Sequence, residues 1–145
     1  MIMFFKSIVF VCILSWFVAQ LLKVLIYFWQ EKKIDLKLFF GSGGMPSSHS
    51  AFVSSLGICV GLKSGFDSAL FAVCFVFGLI VMYDASGVRR AAGKQAKVIN
   101  IIVENIEGLG IKIDEKLKEL LGHSPIEVIS GAILGIVVAL VFYKK

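Results

Sequence analysis

The sequence predicts an all-α fold, an integral membrane helical bundle of about four transmembrane helices plus one amphipathic helix. Composition is the first reason. Of 145 residues, 58% are hydrophobic and 17% charged, and the mean hydropathy is +0.90, whereas soluble domains are roughly 45–50% apolar. The second reason is that the apolar residues fall into four runs, 7–29, 47–62, 69–82 and 125–142, separated by polar stretches. About 20 apolar residues cross a bilayer as a helix. The third is where the charge lies: most basic residues stand in two loops beside apolar runs, the pattern that sets membrane orientation. A net charge of +5 arranged that way does not make a nucleic-acid-binding stripe, so no nucleic-acid partner is expected. The length allows one domain, 1–145.

The first run, 7–29, is too long for a signal peptide and has no Ala-x-Ala cleavage site, so it reads as a span. Trp16, Gln20, Lys23 and Tyr27 follow i, i+4, i+7, i+11 spacing, which puts them on one helix face directed into the protein. Lys23 has two readings: a snorkelling lysine that reaches the nearer surface, or an intramembrane cation with a function. Residues 31–40 form a charged linker carrying Lys32, Lys33 and Lys37.

The second helix starts in the run Gly41-Ser42-Gly43-Gly44-Met45-Pro46-Ser47-Ser48-His49-Ser50. Glycines such as Gly44 let backbone approach a ligand, Pro46 fixes the entry to the helix, and Ser47, Ser48 and free N–H groups offer donors to an anion. A Gly/Ser-rich helix start is also an ordinary cap. Further on, Ser50, Ser54, Gly57 and Gly61 form a stripe of small residues suited to close helix packing. A turn at 63–68 follows, with Asp67 as the expected N-cap of the third helix. That helix runs on into Tyr83-Asp84-Ala85-Ser86-Gly87-Val88-Arg89-Arg90, where Arg89 and Arg90 close it.

Ala92, Ala96, Ile99, Val103 and Ile106 recur at helical spacing with Lys94, Lys97 and Glu104 elsewhere on the wheel. This is the amphipathic helix, lying at the interface or packed on the bundle. Residues 108–122 are a polar connector with a short helix expected over 114–120. The last helix, 125–142, is preceded by His123-Ser124 and opens with Pro125-Ile126-Glu127; it carries Gly131-x-x-x-Gly135. Cys12, Cys59 and Cys74 all sit inside apolar runs and read as buried small hydrophobes.

Four spans put both chain ends on one side and the long loops on the other. The loop side holds Lys32, Lys33, Lys37, Arg89, Arg90, Lys94, Lys97, Lys112, Lys116 and Lys118; the other holds Lys6, Lys63, Lys144 and Lys145. That imbalance makes the long loops cytoplasmic in a multi-pass protein of the cell membrane. His49, Arg89, Arg90 and His123 then emerge on that one side, with Lys23 in the nearer half of the first helix. Two imidazoles beside guanidinium groups and helix N-termini suit phosphoryl transfer, with one imidazole attacking phosphorus and the other protonating the leaving oxygen. A metal site fits worse, since two histidines give few ligands even if Asp84 and Glu127 add oxygens. Asp84 is also a natural ion-pair partner for Lys23 or an arginine, locking the bundle. Glu127 in a first helical turn complements the helix dipole.

Pro46-Ser47-Ser48-His49 resembles the Pro-Ser-Gly-His motif of the type 2 phosphatidic acid phosphatase superfamily, which also contains acid phosphatases and vanadium haloperoxidases. His123-Ser124-Pro125-Ile126-Glu127 is similar to its His-x-x-x-Asp motif, with Glu for Asp. The run from Gly43 to Ala51, with Met82 to Gly93 and Gln95-Ala96, resembles the small divergent branch of that superfamily. The resemblance implies that His123 is the nucleophile forming a phosphohistidine, that Glu127 holds its other ring nitrogen, and that His49 is the acid for the leaving group. Metal and cofactor are not needed, and the substrate is a lipid phosphate or diphosphate.

There are departures. The superfamily's first motif has Arg-Pro seven residues after a Lys; if Lys23 is that Lys, Gln30-Glu31 stands in the place of the pair. Leu117 occupies the position of the third-motif Arg. Arg89 and Arg90 are the chain's only arginines and must supply any guanidinium grip on phosphate, with Lys23, Gly44, Ser47 and Ser48 completing the phosphate site. Fewer spans than the superfamily's six-helix core imply a homodimer that completes the site. The residues also admit a non-catalytic membrane protein that binds anionic lipid or transports a small anion, and, further off, vanadate chemistry.

Overall fold

The computed structural model describes residues 7–33, 39, 44–107, 116, 117, 119 and 121–143. They form five helices: α1 (Ile8–Glu31), α2 (Ser48–Ser64), α3 (Ala69–Ser86), α4 (Val88–Glu107) and α5 (Pro125–Phe142). This is the all-helical membrane bundle that the apolar runs imply. The side chain of Ile106, glycines 41–43 and Lys6, Lys37, Lys112, Lys118, Lys144 and Lys145 lie outside the described residues.

α1, α3 with its continuation into α4, and α5 are each long and apolar enough to cross a membrane. α2, at 17 residues, is only about 25 Å long at 1.5 Å per residue, less than a ~30 Å hydrocarbon core. It packs against α1, α3 and α5 and is the centre of the bundle. Its serines and glycines follow from that place, because a helix walled in by three others gains more from close backbone approach than from bulk. A Cβ on Gly131 or Gly135 would stand 2.2 Å from the carbonyl oxygen of Ser47 or Ala51 respectively, so α5 rides directly on the backbone of α2. On the other side Ser15 of α1 donates its hydroxyl to the Ala51 carbonyl at 3.0 Å. Val11, Cys59, Val138 and Ala139 fill the core below. The three cysteines are free thiols; Cys12 and Cys59 are buried and Cys74 is partly so.

Four local features differ from the expectations. The N-cap of α3 is Ser68, whose hydroxyl accepts from the Phe71 N–H at 3.2 Å, one residue after Asp67; Ser68 also reaches back to the Gly65 carbonyl at 2.7 Å. α3 ends at Ser86, and after the single residue Gly87 the chain resumes as α4. Arg89 and Arg90 therefore stand in the first turn of α4, where the dipole of α4 disfavours cations while that of α3 favours them.

The third difference lies along α4. Its buried positions are Gly93, Ala96 and Asn100, while Ile99 is 45% exposed. The packed arc is rotated towards the small and polar residues because they admit a neighbouring backbone. Asn100 accepts from the Leu117 N–H at 2.9 Å and donates to the Leu117 carbonyl and to Glu119 Oε1, both at 2.8 Å. Of the helix expected over 114–120, residues 116, 117 and 119 are described and are not helical. Leu117 spends its backbone groups on Asn100.

Candidate functional site

The C-terminal half of α1, the start of α2, the α3–α4 junction and the start of α5 meet at one end of the bundle. Two backbone hydrogen bonds tie them: Ser47 N–H to the Glu127 carbonyl at 2.9 Å, and His123 N–H to the Ala85 carbonyl at 2.8 Å. Gly122, at φ +84°, presses on the backbone of Arg89 and Arg90, where a Cβ would lie 2.3 Å from the Arg90 nitrogen. His123 is thus delivered by a loop clamped between α3 and α4.

At the start of α5, Ser124 caps the helix by accepting from the Glu127 N–H at 3.4 Å, and Glu127 Oε2 accepts in return from the Ser124 N–H at 3.2 Å. This is a capping box. The same Oε2 lies 2.9 Å from His123 Nδ1. An ionised carboxylate only accepts, so it fixes the imidazole proton on Nδ1 and leaves Nε2 with a free lone pair. His123 is 4% exposed, so its ring is held by Glu127 in surroundings nearly closed to water. The His49 ring faces it, with centroids 6.4 Å apart and planes tilted by 59°.

His49 opens α2 on the rim of the site and is itself exposed. The protein around it still removes part of its hydration, and that burial lowers its pKa below the ordinary 6.5. The charges of Arg89, His123 and Lys23 act in the same direction, and Asp84 opposes them. Arg90 is exposed, and its backbone packs against Gly122. Arg89 Nε donates to Asp84 Oδ2 at 2.6 Å, both side chains partly exposed. That pair fixes the guanidinium while leaving its two terminal nitrogens available for a bidentate grip.

Lys23 is 3% exposed, which sets aside snorkelling. Its stem lies under Gly44, whose φ of +79° would carry a Cβ to 3.3 Å from Lys23 Cγ. Its Nζ has no hydrogen-bond partner among the described residues. Glu127 acts on it through space without reaching bonding distance. A buried ammonium without a partner is costly, and an anion beside it removes that cost. Gln20, also 3% exposed, donates to the Phe39 carbonyl at 2.5 Å and leaves its Oε1 unpaired among the described residues. Ser47 is committed to capping: its Oγ accepts from the Ser50 N–H at 3.4 Å and from the Ser50 hydroxyl at 3.1 Å. Ser48 is buried beside it.

The arrangement is a cup of Lys23, Arg89, His49 and His123 with two acidic residues placed behind the cations. It suits a tetrahedral anion, with one imidazole poised as a lone-pair donor and the other beside it as a proton carrier. Several supporting groups had uneven signals in the sequence. Ser124-Pro125-Ile126-Glu127 spells a capping box, while the Ala85 carbonyl and Asn100 carry no local signal at all.

The chain is 47% identical over 134 residues to the uncharacterized membrane protein YuiD of Bacillus subtilis (strain 168), covering 85% of each chain. No solved structure matches it. The family model described as the Divergent PAP2 family matches residues 4–138, and with nearly the whole length covered, this chain belongs to that family.

Proposed function

We propose that the protein is a membrane-embedded, metal-independent phosphatase that hydrolyses a lipid phosphate or diphosphate through a phosphohistidine. The observation that carries the reading is the His123–Glu127 pair with the His49 ring 6.4 Å away. Membership of the Divergent PAP2 family supports a phosphatase-related role. Lys23 and Arg89 hold the phosphate oxygens, with the Gly44 to Ser48 backbone alongside and Arg90 at the rim. His123 Nε2 attacks phosphorus and the P–O bond to the lipid breaks as His49 gives its proton to the departing oxygen. Glu127 stabilises the imidazolium that develops. Water, deprotonated by the now neutral His49, then cleaves the P–N bond, releasing phosphate and restoring both histidines.

A bundle whose apolar helices lie in lipid favours a substrate with a hydrocarbon tail, whose head group reaches the cup at the membrane face. The excess of basic residues on the loop side supports a cytoplasmic face of the cell membrane, and a homodimer would supply further helices around the site. A second reading is anionic-lipid binding or small-anion passage without turnover. Leu117 where the superfamily has Arg favours it, because it leaves the cup with one engaged guanidinium.

Phosphate release from a panel of lipid phosphates by the purified protein decides between the two. The phosphatase reading expects release that His123→Ala abolishes. Absent release, or release that survives that change, puts the binding reading first.

A further inference from the structure

Below the cup an apolar groove of about 240 Å³ runs between α2, α3 and α5. Its α2 wall continues the face of His49: Val53 and Gly57 follow it at i+4 and i+8, with Ser54 beside them. Its α3 wall descends from Met82 through Gly78 to Cys74. One turn above Met82 is Ala85, whose carbonyl holds the His123 backbone. The groove therefore begins about one helical turn from His49 and from the Ala85–His123 contact and runs along α2 and α3 away from them. From Met82 to the lowest α3 residue, Phe71, it extends about 16 Å at 1.5 Å per residue.

The glycines in this region divide into two kinds. A Cβ on Gly131 or Gly135 would come 2.2 Å from a backbone carbonyl oxygen of the α2 region, so close packing requires those glycines, whereas one on Gly61 would displace the Phe66 ring. A Cβ on Gly57 would meet nothing within 4 Å, and one on Gly78 would only touch Val53 Cγ2 at 3.8 Å. Packing does not explain these two; each keeps one wall of the groove low.

We propose that the groove holds one hydrocarbon chain of the lipid whose phosphate sits in the cup. The substrate class is then a lipid phosphate that lays a single long alkyl or prenyl chain along α2 and α3. This rests on the phosphate reading of the cup. Continuity with the cup argues for the occupant: His49 stands one helical turn above Val53 on the α2 wall, the lining below it is apolar, and the groove's length has room for one chain.

The test uses the full chain in lipid nanodiscs with a dodecyl phosphonate carrying a diazirine at its far end. A phosphonate is not hydrolysed, so labelling reports the groove whether or not the protein is a phosphatase, and phosphate release reports the phosphatase separately. Irradiation is expected to label Phe71 and Cys74, the groove-lining residues of one α3 turn. Gly57→Leu or Gly78→Val, from opposite walls, is expected to cut that labelling at least tenfold. Dodecanol with the same diazirine is expected to label those two residues at no more than a tenth of the phosphonate level. In turnover, Gly57→Leu is expected to lower the ratio of long-chain to short soluble monoester rates at least tenfold. Labelling spread over the lipid-facing residues Val73 and Val76 and indifferent to both variants overturns the proposal. So does equal labelling by the alcohol, which identifies an ordinary membrane lipid as the occupant, and so does an equal loss of rate on long and short esters.

Discussion

Lys23→Met separates a ligand-binding lysine from a structural one by the sign of its effect. Methionine keeps an unbranched stem under Gly44, so the contact with the glycine loop survives while the ammonium is lost. A buried polar group without a partner costs about 1–3 kcal/mol, more when charged, and Lys23 is 3% exposed with an unpaired Nζ among the described residues. Without ligand, Lys23→Met is therefore expected to stabilise the fold by about 1–3 kcal/mol. For a chain of this size that is a rise in Tm of roughly 3–9 °C. With vanadate or phosphate the order reverses. At an anion concentration of about 100 Kd the wild type gains roughly 2.7 kcal/mol, and the variant is expected to gain little. Thermal melts in detergent with and without the anion read both effects. A variant that melts lower without ligand and still responds fully to the anion would falsify the role given to Lys23, and the residue would then be a structural partner in α1.

Glu127→Gln preserves an acceptor for the capping box but loses the charge that fixes the His123 tautomer. Lipid-phosphate turnover is expected to fall by at least about 10²-fold with a melting change below about 1 kcal/mol; a parallel loss of both would make Glu127 a cap alone. Gly131→Ala places a methyl 2.2 Å from the Ser47 carbonyl oxygen, and overpacking of this kind costs about 1–3 kcal/mol. Melting is expected to drop accordingly, together with anion binding, since Ser47 anchors the start of α2. For pH, His49 must be protonated to act as the acid, so kcat/KM is expected to fall as pH rises through its pKa in the free protein. Burial and then Arg89, His123 and Lys23 place that pKa below 6.5. In Lys23→Met the falling limb should move to higher pH, and a limb that stays put would show that another group sets it.

Much of the frame was legible in the sequence because membrane helices announce themselves by length and hydropathy. The inward face of α1 was legible too: Gln20 and Lys23 lie three residues apart among apolar neighbours and are both 3% exposed. The junction after α3 was not, since Ser86-Gly87 looks like a helix end, whereas Gly87 donates to the Tyr83 carbonyl at 2.8 Å and helix resumes at Val88. That displacement changed the helix to which Arg89 and Arg90 belong. Residues 116, 117 and 119 of the short helix expected over 114–120 are not helical for a tertiary reason, a buried Asn100 amide that takes both backbone groups of Leu117 across 17 residues. For α2, hydropathy alone understated its rank. Its serines and glycines are polar or small because the helix is enclosed, and no single-sequence pattern distinguishes that from a weakly apolar span.

With Gly131 and Gly135 seated on the carbonyls of Ser47 and Ala51, α2 and α5 cannot slide or rotate past each other without a backbone collision. The segments bearing His49 and His123 therefore move as one rigid body, and the spacing of the two rings is insensitive to breathing elsewhere in the bundle. Opening and closing must then come from the helices at the periphery. The Ala85 end of α3 belongs to that body, since its carbonyl holds the His123 N–H at 2.8 Å, so such movement is confined to the exposed far end of α3, away from the imidazoles.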